Sequence, residues 1–391
     1  MTTTFDSIVI GGGIAGLLTA LRLARGGHAV ALVEADRLGS GATSANHGMV
    51  HSGALYVRLH GRVVRHCQQA YPAFRAIAAD AELAADQTVY LVPTPQAPDF
   101  LTRLDRHGIG YRTTDPDEAP EVDPAVLAGH RAVNVGERVF SSRRVVAILA
   151  GQCLAAGVAL LTGATVSRIA HTDGKVTGVE LAHEHLTARH VVIAAGTGTQ
   201  CLLSDLGSRH AGLLRSRLDM MIHLPALPLR RGLIFTALDS PVMMPALGGG
   251  ALVSFFGGMQ PQITGRRAFG VDLGKATALL HQTVRALSPG TGIADGAVAY
   301  VAGKTDFVGT DHAENGMINP GYHVIDHERV DGLAGLYTVV TGKMTLGFHV
   351  SKAVTDAILG TECSLIMRAV PAPDAPAELL AVEPWAPPIQ L

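Results

Sequence analysis

The chain has 391 residues, of which 48% are hydrophobic and only 16% charged, so it carries the material for a large core and is not a disordered chain. Lys plus Arg number 31 against 33 Asp plus Glu, a formal charge of −2, which excludes a broad basic field for a nucleic-acid backbone or an anionic membrane. Cys67, Cys153, Cys201 and Cys363 lie far apart without metal-ligand spacing, and no histidine sits in an HExxH pattern. The reading is a reduced, cytoplasmic protein with no structural metal. The apolar run at 8–21 has no basic segment before it and is interrupted by three consecutive glycines, Gly11-Gly12-Gly13. It also falls short of the roughly 20 apolar residues of a spanning helix, so it reads as a strand followed by a helix, and no transmembrane segment is expected.

In chain order, Ser7-Ile8-Val9-Ile10 is a buried strand, Gly11-Gly12-Gly13-Ile14-Ala15-Gly16 a tight turn, and the next residues a helix stopped by Gly26-Gly27. A second strand at 28–33 ends at Glu34 and completes a βαβ unit. Helices are predicted at 68–79, 99–107 and 145–156, and strands at 88–92 and 159–161, with a Pro- and acid-rich connection at 116–124. A strand pair at 164–169 and 176–181 turns at Asp173-Gly174, and 191–196 is a buried strand running into a glycine turn. Short runs at 220–224, 232–237, 242–247 and 251–256, spaced by Gly and Pro, predict a meandering antiparallel sheet. A helix at 273–287, a strand at 336–340 and a helix at 345–359 follow, and the Pro- and Ala-rich tail from 369 reads as extended.

The chemistry gathers in a few segments. Gly11, Gly13 and Gly16 allow the tight turn and close backbone approach that a pyrophosphate requires, and Ile14 and Ala15 open the helix whose positive end faces it. Glu34, at the end of the second strand, is placed to accept from a ribose hydroxyl. The bland alternative is a glycine-rich packing turn. A polar loop at 41–56, with Thr43, Ser44, Asn46 and His47, is of the kind that runs beside a diphosphate toward a flavin ring. Val166 and the turn at Ala195-Gly196 are further cofactor-side positions. Gly342, Lys343, Met344 and Thr345 start a helix whose N-terminus can face the flavin pyrimidine, where negative charge develops on reduction.

These segments resemble the FAD-dependent D-amino-acid-oxidase superfamily, most closely its glycerol-3-phosphate and L-2-hydroxyglutarate dehydrogenases. Asn46-His47-Gly48-Met49-Val50-His51-Ser52-Gly53 is similar to the Asn-Ser-Gly-Val-Ile-His-Ser-Gly loop of the latter. Residues 321–333 resemble the C-terminal stretch of the glycerophosphate enzymes, and Thr341-Gly342-Lys343-Met344-Thr345 their Gly-Gly-Lys-(Leu/Trp)-Thr flavin motif. Two departures stand out. Leu55 occupies the place of an Arg before Tyr56, and Lys304 that of a second phosphate-binding Arg, which keeps the charge but loses the bidentate fork. Both speak against glycerol 3-phosphate itself. Ala45 stands where relatives with histidyl-linked flavin carry the histidine, so the resemblance implies noncovalent FAD.

The expected architecture is α/β. A Rossmann-like FAD-binding domain is assembled from 1–75, 140–205 and 295–365, with an antiparallel-sheet substrate domain from 76–139 and 206–294 and a tail at 366–391. The expected activity is oxidation of a small anionic secondary alcohol, a 2-hydroxy acid or polyol phosphate, by hydride transfer to flavin N5. His51 is the expected base, with a structural histidine of the FAD loop as the alternative. Lys343 is expected at the flavin edge and Lys304 as the anion anchor, with His51, Tyr56, Lys304 and His349 lining the substrate. O2, a quinone or an electron-transfer protein is the expected acceptor. Oxidation of an amino acid or amine, and a non-catalytic FAD-binding role, are the alternatives.

Overall fold

The computed structural model describes residues 3–58, 61–83, 86–113, 119–237, 240–255, 262–263, 270–288, 293–308 and 321–385. Its first sheet runs in the order His323–Asp326, Leu336–Val340, His185–Ile193, Thr3–Ile10, Val30–Val33, Ala159–Leu161. The four pairings from Leu336–Val340 across to Ala159–Leu161 are all parallel. A parallel sheet buries both faces, and the period of two divides its side chains between two cores. Ile8, Ile10, Val191 and Ile193 enter one core. Val9, Leu32 and Val192 enter the other, against Leu17 and Leu21 of helix Ile14–Arg25, Leu149 of helix Ser142–Ala155 and Phe348 of helix Gly347–Leu359.

The second sheet is mainly antiparallel. From Leu214–Leu224 it runs through Ala251–Phe255, Pro241–Pro245, Arg231–Phe235, Asp86–Pro93 and His130–Asn134. Val298–Phe307 pairs with Leu214–Leu224 along its whole length. This strand corrects the expected grouping of 295–365 with the first domain. Its Tyr300 and Ala302 share a core with Met221 and Leu252, so packing fixes it in the second sheet. Ala45 of the polar loop joins the same core and brings that loop against the second sheet.

Other departures have local causes. The strands expected at 164–169 and 176–181 are Arg168–Thr172 and Lys175–Glu180. The hairpin zips from its turn, where Asp173 (φ 51°) and Gly174 (φ 72°) are both left-handed. The helix expected at 68–79 is Gly61–Ala78 and starts about two turns earlier, where Val63, Val64 and Cys67 are buried between exposed or half-buried polar residues.

The described chain beyond Gly360 is largely extended, with one 3-10 turn at Ala377–Leu379, and is held by side chains of the first domain. Arg22, buried in the first helix, donates from Nε to Ser351 Oγ (3.0 Å) and from its two terminal nitrogens to Ser364 O and Leu365 O (2.6 Å each). Gln152 exchanges two hydrogen bonds with Val370, and Arg144 pairs with Asp374. The tail crosses the helix at Gly151, where a Cβ would lie 2.1 Å from Pro373 O. Its last described residue, Trp385, stacks on His223 of the second sheet, ring centroids 4.8 Å apart. Losing the guanidinium leaves two carbonyls without their donor, so Arg22→Ala should lower stability by about 2–4 kcal/mol in urea unfolding. It should also red-shift the emission of Trp385, the only tryptophan in the chain, before global unfolding.

Candidate active site

The first glycine turn is built so that only glycine fits. Gly11 has φ +111°, and a Cβ there would lie 2.4 Å from Ala194 O; one at Gly16 would lie 1.8 Å from Gly11 O. Strand, helix and the turn at Ala195-Gly196 therefore meet at backbone distance. Gly13 caps the first helix without a side-chain oxygen, and the Ile14 N–H donates to Thr43 Oγ1 at 3.0 Å. Glu34 accepts from Gly12 N (2.7 Å) and Asp36 N (2.9 Å). Its own carbonyl accepts from Ala164 N, which carries the chain on to buried Val166. Ser44 Oγ is buried without a partner. A close-packed backbone cradle, a helix N-terminus, an acid at the second strand's end and an orphaned hydroxyl fit a dinucleotide such as FAD.

The loop beyond Thr43 is clamped from several sides. Asn46 is spent within it, accepting from Gly48 N (2.7 Å) and Ser142 Oγ (2.9 Å) and donating to Thr43 O and toward Met344 Sδ. Residues Met49–Val50 pair with Arg138–Val139. Thr345 Oγ1 accepts from His51 N at 3.2 Å and lies 3.5 Å from Met49 O. Gly342 (φ +65°) turns the chain into this contact. Ser52 donates from N and Oγ to buried Glu137 (2.6 and 2.8 Å), whose other oxygen accepts from Tyr90 OH at 2.9 Å. Burial raises the Glu137 pKa, while the Ser52 and Tyr90 donors oppose the rise.

This frame gathers most of the expected side chains. His51 is buried, its ring edge-on to Tyr56 (5.3 Å) and to His47 (6.5 Å), and its Nδ1 has no partner. Lys343 Nζ lies 4.5 Å from the centre of the Tyr56 ring. Burial, then the charges of Lys343, His47 and Lys304, hold the His51 pKa well below the ordinary imidazole value. Burial and Lys304 take His47 down to about 3. Both rings are therefore neutral near pH 7. Burial also lowers Lys304 and Lys343 to about 8, with Arg217 adding to the shift at each. His349 is not part of this group. Its Nε2 faces Gln69 Oε1 at 3.1 Å, and its ring packs on His66 and Tyr322.

Several residues of the site carry no sequence motif. Asp306, 2% exposed, accepts from Arg217 Nε at 2.7 Å. Asp219 pairs with both Arg217 and Lys304, the latter at 2.5 Å. The readable signal is the period of two, Arg215, Arg217, Asp219 on one strand and Lys304, Asp306 on its partner, within otherwise apolar strands. Glu137 has no such signal. A cleft of about 250 Å³ flanks the loop at Ser52, Cys67, Gln68, Tyr71 and Glu137, and neither lysine lines it. Among the described residues no group of His, Cys, Asp and Glu is placed to hold a metal ion, and no helix is long and apolar enough to cross a membrane.

The sequence profile of a family described as FAD dependent oxidoreductase (DAO) matches residues 6–357. One component of the anaerobic glycerol-3-phosphate dehydrogenase of Escherichia coli K12 is 28% identical over 399 residues, covering 96% of this chain and 71% of that one. A D-amino acid dehydrogenase of a Methylobacterium species is 29% identical over 269 residues, covering 51% of this chain and 62% of that one. Among solved structures, glycine oxidase from Geobacillus kaustophilus superposes with a TM-score of 0.72 at 21% identity, covering 93% of this chain and 96% of that one.

The cradle makes a direct prediction. Gly16→Ala forces the turn apart, and the purified variant should hold less than about a tenth of the wild-type flavin, read from its visible absorbance against protein absorbance.

Proposed function

The chain belongs to the DAO family of FAD dependent oxidoreductases, and within it we propose that the protein oxidises a small anionic secondary alcohol, a 2-hydroxy acid or polyol phosphate. The observation that supports this reading is the buried meeting of a neutral histidine, His51, with two cations, Lys304 and Lys343. Bound FAD supplies the hydride acceptor. The cradle from Gly11 to Gly16, Glu34, Ser44 and the turn at Gly342 would hold it, noncovalently.

An alcohol keeps its proton until a base takes it. A neutral buried imidazole has one nitrogen free to accept, and His51 has the partnerless Nδ1 to turn toward a hydroxyl. Its low basicity has two sources, burial and the neighbouring lysines. A substrate anion between Lys304 and Lys343 cancels part of their field, so the bound substrate itself makes His51 a better base. Thr345 and Glu137 hold the backbone on either side of the ring, which fixes where that base stands. Reoxidation by O2, a quinone or an electron-transfer protein completes the cycle.

The likeness to a D-amino acid dehydrogenase favours a second reading, oxidation of a C–N bond. A neutral amine has no hydroxyl proton to give up, and His51 then only shapes the pocket.

His51→Ala should retain FAD and slow flavin reduction by a 2-hydroxy acid by ~10²-fold or more in anaerobic stopped flow. A wild-type reduction rate in that variant would reject the base assignment. The lysines supply a pH test. Each is cationic below about 8 and neutral above it, so the anchor is present at neutral pH and is lost as pH rises. The Kd of a carboxylate substrate should therefore increase above pH 8, and in Lys304→Gln the Kd should already be high at neutral pH.

A further inference from the structure

The segment at 38–47, which leads from the first βαβ unit into the polar loop, is held at both ends by one distant piece of chain. At its start the buried Leu38 donates from N to Leu379 O (2.8 Å) and accepts at O from Ala381 N (3.0 Å), a single parallel bridge to Leu380 of the tail. A Cβ on Gly12 would lie 2.6 Å from Leu38 Cδ2, so Leu38 stands between the tail and the glycine turn. The next residue, Gly39, donates to Gly12 O at 3.0 Å and accepts at O from Ser44 N at 3.3 Å. A Cβ on Gly39 would lie 2.6 Å from Ser44 Oγ, the buried hydroxyl without a partner. At the other end of the segment, Ala45 shares a core with Leu252 and Tyr300 of the second sheet, and Trp385 packs on that core, ring centroids 5.6 Å from Tyr300. Ser44, Asn46 and His47 share the lining of a cavity of about 20 Å³ with Glu383 and Trp385. Glu383 also pairs with Arg143 at 3.2 Å, next to Ser142, whose hydroxyl donates to Asn46. Ser40 and Gly41, between the two anchors, are exposed.

We propose that tail residues 379–385 are part of the FAD site, with Trp385 a positioning residue that keeps the segment 38–47 closed on the cofactor. This rests on the reading of that segment as the one beside a noncovalently held FAD, and not on which bond is oxidised. A cofactor without a covalent link leaves when the chain beside it opens, so groups that hold that chain shut slow its departure. The two backbone bonds at Leu38 fix the start of the segment against the first domain. Trp385, through the core that includes Ala45, fixes its end against the second sheet. Opening the segment loosens both. The Arg143–Glu383 pair is partly exposed and adds little, so the indole and the Leu38 bridge are the working contacts.

The test is FAD release from the purified, FAD-loaded full chain, followed as flavin absorbance that passes an ultrafilter after dilution. Trp385→Ala should raise the Kd for FAD about tenfold or more. Ala381→Pro, which removes the donor to Leu38 O, should do the same, and Trp385→Phe should stay within about threefold of wild type. A role confined to fold stability gives the other pattern, a lower melting temperature of the apoprotein with a Kd for FAD within about twofold of wild type, and that pattern overturns the proposal. If the variants fail to fold, the wild type decides. Coupling is reciprocal, so bound FAD should slow chymotryptic cleavage after Leu379 and Leu380, read by mass spectrometry, by about tenfold. Equal cleavage with and without FAD overturns the proposal. Flavin that stays with the acid-precipitated wild-type protein overturns it together with the noncovalent reading, whereas unchanged release of a freely extracted flavin overturns the proposal alone. No arm involves turnover, so the result is separate from whether the oxidised bond is C–O or C–N.

Discussion

The site depends on one hydrogen bond between distant parts of the chain, from the His51 amide to the Thr345 hydroxyl. Thr345 begins the turn into the helix Gly347–Leu359, which packs in the core of the first sheet. His51 closes the polar loop that leaves the first βαβ unit. Joining them sets the expected cofactor loop, the proposed base and Lys343 in one frame. Glu137 holds the next residue, Ser52, from the opposite side, and Ala45 packs the start of the loop against the second sheet. The loop is a tightly held junction, and that is why buried polar groups without partners can persist there. His51 Nδ1 and Ser44 Oγ are such groups, and an orphaned buried polar atom in so constrained a place points to a ligand that completes it.

Burial governs the chemistry of the same place. It is the largest cause of every shift among His47, His51, Lys304 and Lys343, and it pushes each toward its neutral form. The lysines remain cations near neutral pH, whereas the histidines fall far enough to be neutral there. The proposed division of labour, lysines for an anion and a neutral histidine as acceptor, draws on this difference in charge. In that proposal binding and base strength are coupled, since a ligand that satisfies the lysines also relieves the histidine.

Much of this is legible in the sequence because it is local. The βαβ unit, Gly11 to Gly16, Glu34 and the turn at Gly342 are short-range signals with strict steric requirements. The loop histidines and Lys343 emerge through a resemblance that covers nearly the whole chain. What the sequence hides is non-local. Val298–Phe307 carries Lys304 but does not read as a strand of the second sheet, because its partner Leu214–Leu224 is about 80 residues away and only pairing reveals it. Asp219 and Asp306 show only the period of two along their strands, and Glu137, which meets Ser52 and Tyr90 across the fold, has no spacing that marks it. His349 shows the reverse error. One helical turn from Thr345 reads as close to the substrate, but the helix turns that side chain toward His66, Tyr322 and Gln69. The tail reads as extended, and the contacts that hold it, Gln152 to Val370 and Arg144 to Asp374, arise only in the fold.

The central claim is that this pocket is built for an anionic alcohol. Its most direct test is an anaerobic titration of the purified flavoprotein, following visible flavin absorbance with a panel of 2-hydroxy acids, polyol phosphates and amino acids. The account predicts stoichiometric bleaching by a member of the alcohol set, with none by the amino acids. Bleaching by amino acids alone would contradict it and move the chemistry to the C–N bond.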